Sequence, residues 1–192
     1  MEHGQKKTDR RVIYTKMFLK ESLLSLIKEK PVTKITPTEL CRHAGINRNT
    51  FYTHYESVEA LLLSIEDELY RQVQQIIDNT LRDFNTLELL EAVSHIAYVN
   101  KDICTVLLSG NSTSTLLERA IDLAHDKTVK AWKEAGIPDN PEQIEMLYTF
   151  YVSSFVAVIR RWALGGMKES TQELALFLEK ATKRGLMGFM EP

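Results

Sequence analysis

A chain of 192 residues, 44% of them hydrophobic, is long enough to bury a real core and to hold one small domain plus a larger one. Two cysteines, Cys41 and Cys104, are too few for a disulfide framework. The formal net charge of −2 conceals a division, because residues 1–56 carry 11 Lys and Arg against 6 Asp and Glu, whereas residues 57–192 carry 13 against 20.

A basic head of this kind attracts phosphates and makes affinity depend on salt. The polar segment from Met1 to Arg11 lacks the apolar stretch of a signal peptide, so the cytoplasm is the expected compartment. Helix follows helix along the chain with no convincing strand, and an all-α fold is expected. The first helix is read from about Asp9 to Glu29, capped by Thr8 and stopped before Pro31. Lys6, Lys7, Arg10 and Arg11 fall just before or within its first turn, where a flexible arm reaches DNA or simply stays solvated.

Residues 36–55 read as two short helices joined by a tight turn at Gly45. Thr36 or Thr38 caps the first of them, and Pro37 suits its first turn. Leu40, Ala44, Ile46, Phe51 and Tyr55 supply an apolar seam, which makes this a helix-turn-helix whose second helix suits the DNA major groove. On a helical wheel with Phe51 inward, Tyr55 and Asn47 fall about 40° to either side and Arg48 and His54 about 60° away. Asn49, Thr50, Tyr52 and Thr53 then point outward. Asn bonds bidentately to adenine, Thr offers a methyl to thymine, and Arg reads guanine or a phosphate. Tyr and Thr hydroxyls hold the backbone and set register. Arg48, Asn49 and Thr50 are therefore the candidate base contacts, and Thr36, Thr38, Tyr52 and His54, with Thr53 beside them, the candidate phosphate contacts. The plain alternative is a solvated face of a small helical domain.

The block from Lys34 to Leu62 resembles the DNA-binding domain of TetR/AcrR-type transcriptional regulators. The resemblance is carried by Ile35-Thr36, Leu40-Cys41, Ala44-Gly45-Ile46-Asn47-Arg48, Thr50-Phe51-Tyr52, His54-Tyr55 and Leu61-Leu62, and it extends over about residues 8–70 with Asp9-Arg10-Arg11. One departure stands out. Many members carry a phosphate-contacting lysine where this chain has Val58. The resemblance implies a head over residues 1–56, with a connecting helix to about 70, and a ligand-binding and dimerising body over residues 57–192.

The fourth helix is read from Ser57 to Asn79, with Leu61, Leu62, Ile65, Leu69, Val73 and Ile76 at helical spacing. Thr86 opens a fifth through Asn100, and Asp102 to Ser109 forms a sixth. Gly110-Asn111-Ser112 breaks the chain before a seventh, which ends at Gly136. Asn140-Pro141 begins an eighth that ends near Gly165-Gly166, and Ser170-x-x-Glu173 is a capping box for a ninth. The sequon Asn111-Ser112-Thr113 is read as accidental in a protein that is not secreted.

From Met146 to Ile159 fourteen residues pass without a charge, too few for a membrane span, which needs about 20. A helix apolar nearly all round calls for burial nearly all round. The ninth helix offers a second apolar face with Leu174, Phe177, Leu178 and Ala181. The last two helices of two copies are thus expected to form a homodimer reading a palindromic, double-stranded operator.

The resemblance further implies an effector of unknown chemistry, small molecule or protein, whose binding releases a repressor. Candidate pocket residues are His95, Tyr98, Cys104, His125, Trp132, Tyr148, Tyr151, Phe155 and Trp162, each of which also suits a core or interface role. No Gly-rich phosphate loop and no Gly-x-Ser-x-Gly is present, so no enzyme and no cofactor is expected. Cys41 and His43 lie about 200° apart on a helix and cannot share a metal ion. The alternative is an activator or co-regulator of the same fold that acts mainly through a protein partner.

Overall fold

The computed structural model describes residues 2–80, 86–109, 115–137 and 140–187, with side chains described from residue 10 to residue 182 within those ranges. Among the described residues every regular element is helical: α1 (Glu2–Glu29), α2 (Pro37–Ala44), α3 (Arg48–His54), α4 (Val58–Thr80), α5 (Thr86–Val99), α6 (Lys101–Leu108), α7 (Leu116–Glu134), α8 (Pro141–Leu164) and α9 (Thr171–Met187). A 3-10 turn, Val32–Lys34, joins α1 to α2 and inserts Val32 into the core. The all-α expectation holds. None of the helices among the described residues is long and apolar enough to cross a membrane.

The helix ends follow from local chemistry. Asn140 accepts the Gln143 N–H at 3.1 Å with Pro141 at the first helical position, so α8 begins where its sequence demands. Ser170 and Glu173 form the reciprocal capping box of α9: Oγ accepts the Glu173 N–H at 3.2 Å, and the carboxylate accepts the Ser170 N–H at 2.9 Å. At the end of α7, Gly136 takes φ +89° and the Ile137 N–H reaches back to the Trp132 carbonyl at 3.0 Å.

Two expectations at helix ends are corrected. α1 does not start at Asp9 under a Thr8 cap but already at Glu2, because residues 2–9 contain no proline and the single Gly4 weakens a helix by only about 1 kcal/mol. Lys6, Lys7, Arg10 and Arg11 therefore lie inside α1 rather than on an arm before it, and the side chains of Lys6 and Lys7 fall outside the described residues. The break at Gly110-Asn111-Ser112, with its sequon, likewise falls outside the described residues.

The chain divides into two compact units. The first contains α1, α2, α3, the first half of α4 and the last turn of α6. Its core is Leu19, Leu23 and Ile27 of α1, Leu40 of α2, Phe51 of α3 and Val58 and Leu61 of α4, all at most 1% exposed. The second unit contains the rest of α4 and α6 together with α5, α7, α8 and α9. There α5 packs along α9, and the small residues at the buried positions, Ser94 and Ala97 on α5 and Ala175 on α9, let the two backbones approach closely.

Helix α8 is not buried nearly all round within one chain. Met146 and Phe150 are 62% and 63% exposed, and Ser153, Ala157 and Leu164 continue the same exposed face. On α9, Leu176 and Phe177 are exposed as well.

Candidate functional site

The helix-turn-helix is fixed by caps and by one left-handed residue. Thr36 Oγ1 accepts the Glu39 N–H at 3.2 Å and so caps α2; Thr38 is the second residue of the helix. Gly45 takes φ +65°, a conformation that disfavours side chains with a Cβ, and the Ile46 N–H closes the turn on the Cys41 carbonyl at 2.9 Å. Lys30, just past α1, donates to both oxygens of Glu39 at 2.7 Å, tying the end of α1 to the start of α2. That hydrogen bond holds the Glu39 carboxyl below its ordinary range.

Asn47 is the cap of α3, not a member of its wheel: its Oδ1 accepts the Asn49 N–H at 2.8 Å and its side chain is exposed. The signal was present in the sequence, since Asn directly before a helix is a preferred cap. Phe51 then points fully inward, edge-on to Tyr52 at 5.3 Å between ring centroids and tilted against Tyr55 at 6.0 Å.

With Phe51 inward, α3 presents Arg48, Asn49, Tyr52 and Thr53 as exposed residues, with Thr50 and His54 half-buried at the margins. Arg48 donates to the Tyr52 hydroxyl at 3.2 Å and its guanidinium lies 5.6 Å from the ring centroid, so the two side chains form one polar edge a turn apart. Thr53 donates its hydroxyl proton to the Asn49 carbonyl at 2.8 Å. In that rotamer it offers a phosphate only lone pairs. Thr36 and Thr38 are exposed at the start of α2. Val58 is 1% exposed, so the position at which this chain departs from the resembled pattern is part of the hydrophobic core and offers no phosphate contact.

The second unit holds a cavity of about 210 Å³ whose walls come from α4, α5, α7, α8 and α9. Four of the candidate residues line it: Trp132, Tyr148, Tyr151 and Phe155. The other five do not. His95 and Tyr98 are exposed on α5. Cys104 is buried away from the cavity, and burial pushes its thiol up to about 11, leaving it protonated and inert. Trp162 is buried with its indole N–H donating to the Glu169 carbonyl at 3.0 Å, which closes the turn between α8 and α9.

His125 is held outside the cavity lining by two carboxylates. Its Nδ1 lies 2.9 Å from Asp126 Oδ1 and its Nε2 2.9 Å from Glu145 Oε1, bridging α7 and α8. Only the imidazolium donates at both nitrogens, so Asp126 first and then Glu145 raise its pKa above the ordinary 6.5. The bridge is therefore at full strength below pH 6.5 and is lost as pH rises through the elevated folded value. The melting temperature of the second unit is expected to fall over that rise. In His125→Ala the fall over the same range should be smaller, and an identical pH profile would remove the bridge from the account.

Residues 85–184 match the family model described as a transcriptional regulator C-terminal region, TetR_C_8. The chain belongs to the TetR family of transcriptional regulators. As a TetR-family chain it is 36% identical over 76 residues to an uncharacterized HTH-type transcriptional regulator of Bacillus subtilis, YxbF, a match covering 39% of this chain and 19% of that one. The chain thus matches only a minor part of that curated relative's length. A solved TetR regulator from Streptococcus agalactiae is 27% identical and superposes with a TM-score of 0.65 over 93% of this chain and 98% of its own. The dihydroxyacetone kinase operon activator DhaS, 15% identical, shares the fold with a TM-score of 0.64 over 93% of this chain and 99% of its own. The TetR-family fold thus accounts for both units.

Proposed function

We propose that this TetR-family regulator binds a palindromic operator directly, as a homodimer, and represses until an effector occupies its second unit. Arg48, Asn49 and Thr50 read bases; Thr36, Thr38, Tyr52 and His54 hold phosphates. The observation that carries the reading is the exposed Arg48–Asn49–Tyr52 edge of α3, projected outward by a fully buried Phe51 and two capped helix starts. A helix face with a cation, an amide and a phenol in one turn suits the groove edge and its phosphates.

Release by an effector finds support in α4. It is one continuous helix, Val58–Thr80, whose first residue lies in the core of the first unit and whose Val73 and Ile77 line the cavity. A ligand that favours one position of those residues acts on the same rod that follows the recognition helix. It shifts DNA affinity only as far as it binds the two states unequally.

The test is a selection of genomic fragments by the purified protein at two salt concentrations. A palindromic motif, enriched at low salt and weakened at high salt, is the expected outcome. On that motif Asn49→Ala should lose roughly 1–3 kcal/mol and relax the preference at one base pair. Tyr52→Phe should weaken all sequences alike. Base reading by Asn49 is wrong if the variant ranks sequences as the parent does.

A second reading, an activator or co-regulator working mainly through a protein partner, is favoured by the buried Val58, which supplies no phosphate contact. The fold itself also serves an operon activator. No enriched sequence from a folded dimer would select this second reading.

A further inference from the structure

The cavity of the second unit has a chemistry of its own. Among the described residues its walls contain no Asp, Glu, Lys, Arg or His. Apolar side chains such as Val73, Ile77, Leu89, Val93, Ile121 and Val156 dominate it. Three of its hydroxyls are already committed inward. Tyr148 donates to the Ile121 carbonyl at 2.6 Å, Tyr151 to the Thr182 carbonyl at 3.2 Å, and Thr182 to the Leu178 carbonyl at 2.8 Å. The Tyr148 phenol is neutral, its pKa pushed up to about 12, chiefly by burial.

A carboxylate, phosphate or ammonium drawn in among these walls, away from the solvent-facing mouth at Leu117, would lose its water and meet no opposite charge among the described residues, a cost of several kcal/mol. A neutral ligand loses little, and one hydroxyl or carbonyl on it can be met by the Thr128 hydroxyl or by the lone pairs of the tyrosine oxygens. Size narrows the class further. An apolar cavity of about 150 Å³ accommodates a benzene ring. At about 210 Å³ this one takes a ring with a short branch, or a folded alkyl chain of about eight carbons.

We propose that the effector is an uncharged, chiefly apolar small molecule, and that the cavity excludes charged analogues of the same length. This rests on the reading of the second unit as the effector-binding part.

Trp132 lies in the cavity wall and is one of two tryptophans, so Trp162→Phe leaves it as the sole reporter. The full chain, wild type and Trp162→Phe, is titrated with 1-octanol, octanoate and octylammonium while Trp132 emission is followed. Octanol should give a saturable change, and both ions should bind at least about tenfold more weakly because each enters without a counter-charge. Ala124→Phe fills the cavity and should abolish octanol binding with helicity retained. If that variant does not fold, Leu117→Arg, at a lining position that is 39% exposed, serves instead and should raise octanoate binding relative to octylammonium.

Octanoate or octylammonium binding as tightly as octanol, octanol binding that survives Ala124→Phe, an unchanged ion preference in Leu117→Arg, or no Trp132 response up to the solubility limit would each overturn the proposal. DNA binding is measured separately without octanol. Failure there sinks the operator reading and leaves the cavity chemistry standing; failure of the titration does the reverse.

Discussion

Phe51→Ala is expected to abolish operator binding while leaving the second unit folded. Phe51 is 0% exposed and is the buried anchor of α3. Truncating a buried Phe to Ala costs about 3–5 kcal/mol through lost transfer energy and the cavity left behind. A core as small as that of the first unit supplies only about 3–5 kcal/mol in total, so the loss consumes the margin. Because Phe51 also aims the exposed face of its helix, even a molecule that stays folded misplaces Arg48, Asn49 and Tyr52. Hydrogen exchange should show α2 and α3 amides losing protection, with α8 amides unchanged. The control is Phe51→Leu, a milder change costing about 1.5 kcal/mol or less, which should retain measurable DNA binding. Full operator affinity in Phe51→Ala would mean that α3 is oriented by something other than its core anchor.

The parts of this protein that sequence made legible are those specified within a few residues. Thr36 before Pro37, Gly45 in the turn, Asn140 before Pro141 and Ser170 three residues before Glu173 each decide a helix end by a local hydrogen bond, and each lies where it was expected. Asn47 shows the limit of wheel reasoning. A wheel assumes that its first residue is already helical, whereas the Asn47 side chain spends itself on the Asn49 N–H before the helix starts. The start of α1 failed for a related reason: a good cap at Thr8 does not stop a helix when the residues before it can continue it.

The cavity was legible only in part, because five helices distant in sequence build it. Aromatic and polar character on the body helices singled out Trp132, Tyr148, Tyr151 and Phe155, which do meet there. The same criterion also gathered His95, Tyr98, Cys104, His125 and Trp162, since a pattern of residue types does not reveal which neighbour each helix face finds. His125 is the instructive case. Its partners are Asp126 next door and Glu145 twenty residues on, and only the packing of α7 against α8 brings the second into reach. The aliphatic wall that sets the ligand chemistry, Val73, Ile77 and Leu89 among others, carries no signal beyond ordinary helical periodicity.

The double substitution Phe150→Glu with Phe177→Glu is expected to give a monomer that binds full operators on the order of 10²–10⁴-fold more weakly, because the second half-site loses the effective concentration that linkage provides. Both side chains are large, apolar and 60% or more exposed in the single chain, as is Met146 on the turn before Phe150. Ser153 and Ala157 continue that face of α8 with small residues, so a second helix can approach closely along it. Exposed large apolar side chains clustered on one helix face mark surfaces that another protein covers. A face of α8 that carries no charge from Met146 to Ala157, with Leu176 and Phe177 also exposed on α9, suits an isologous partner, the arrangement by which two copies present the same patch to each other. The substituted glutamates place four like charges in one desolvated patch across the pair. Sedimentation should therefore show a single-chain mass at concentrations where the parent is a dimer, with unchanged helicity. A probe carrying one half-site should bind both proteins alike, since the first unit is untouched. If the variant sediments as a dimer, the pairing surface lies elsewhere; if it is a monomer yet holds the full operator as tightly as the parent, DNA recognition does not depend on two linked heads.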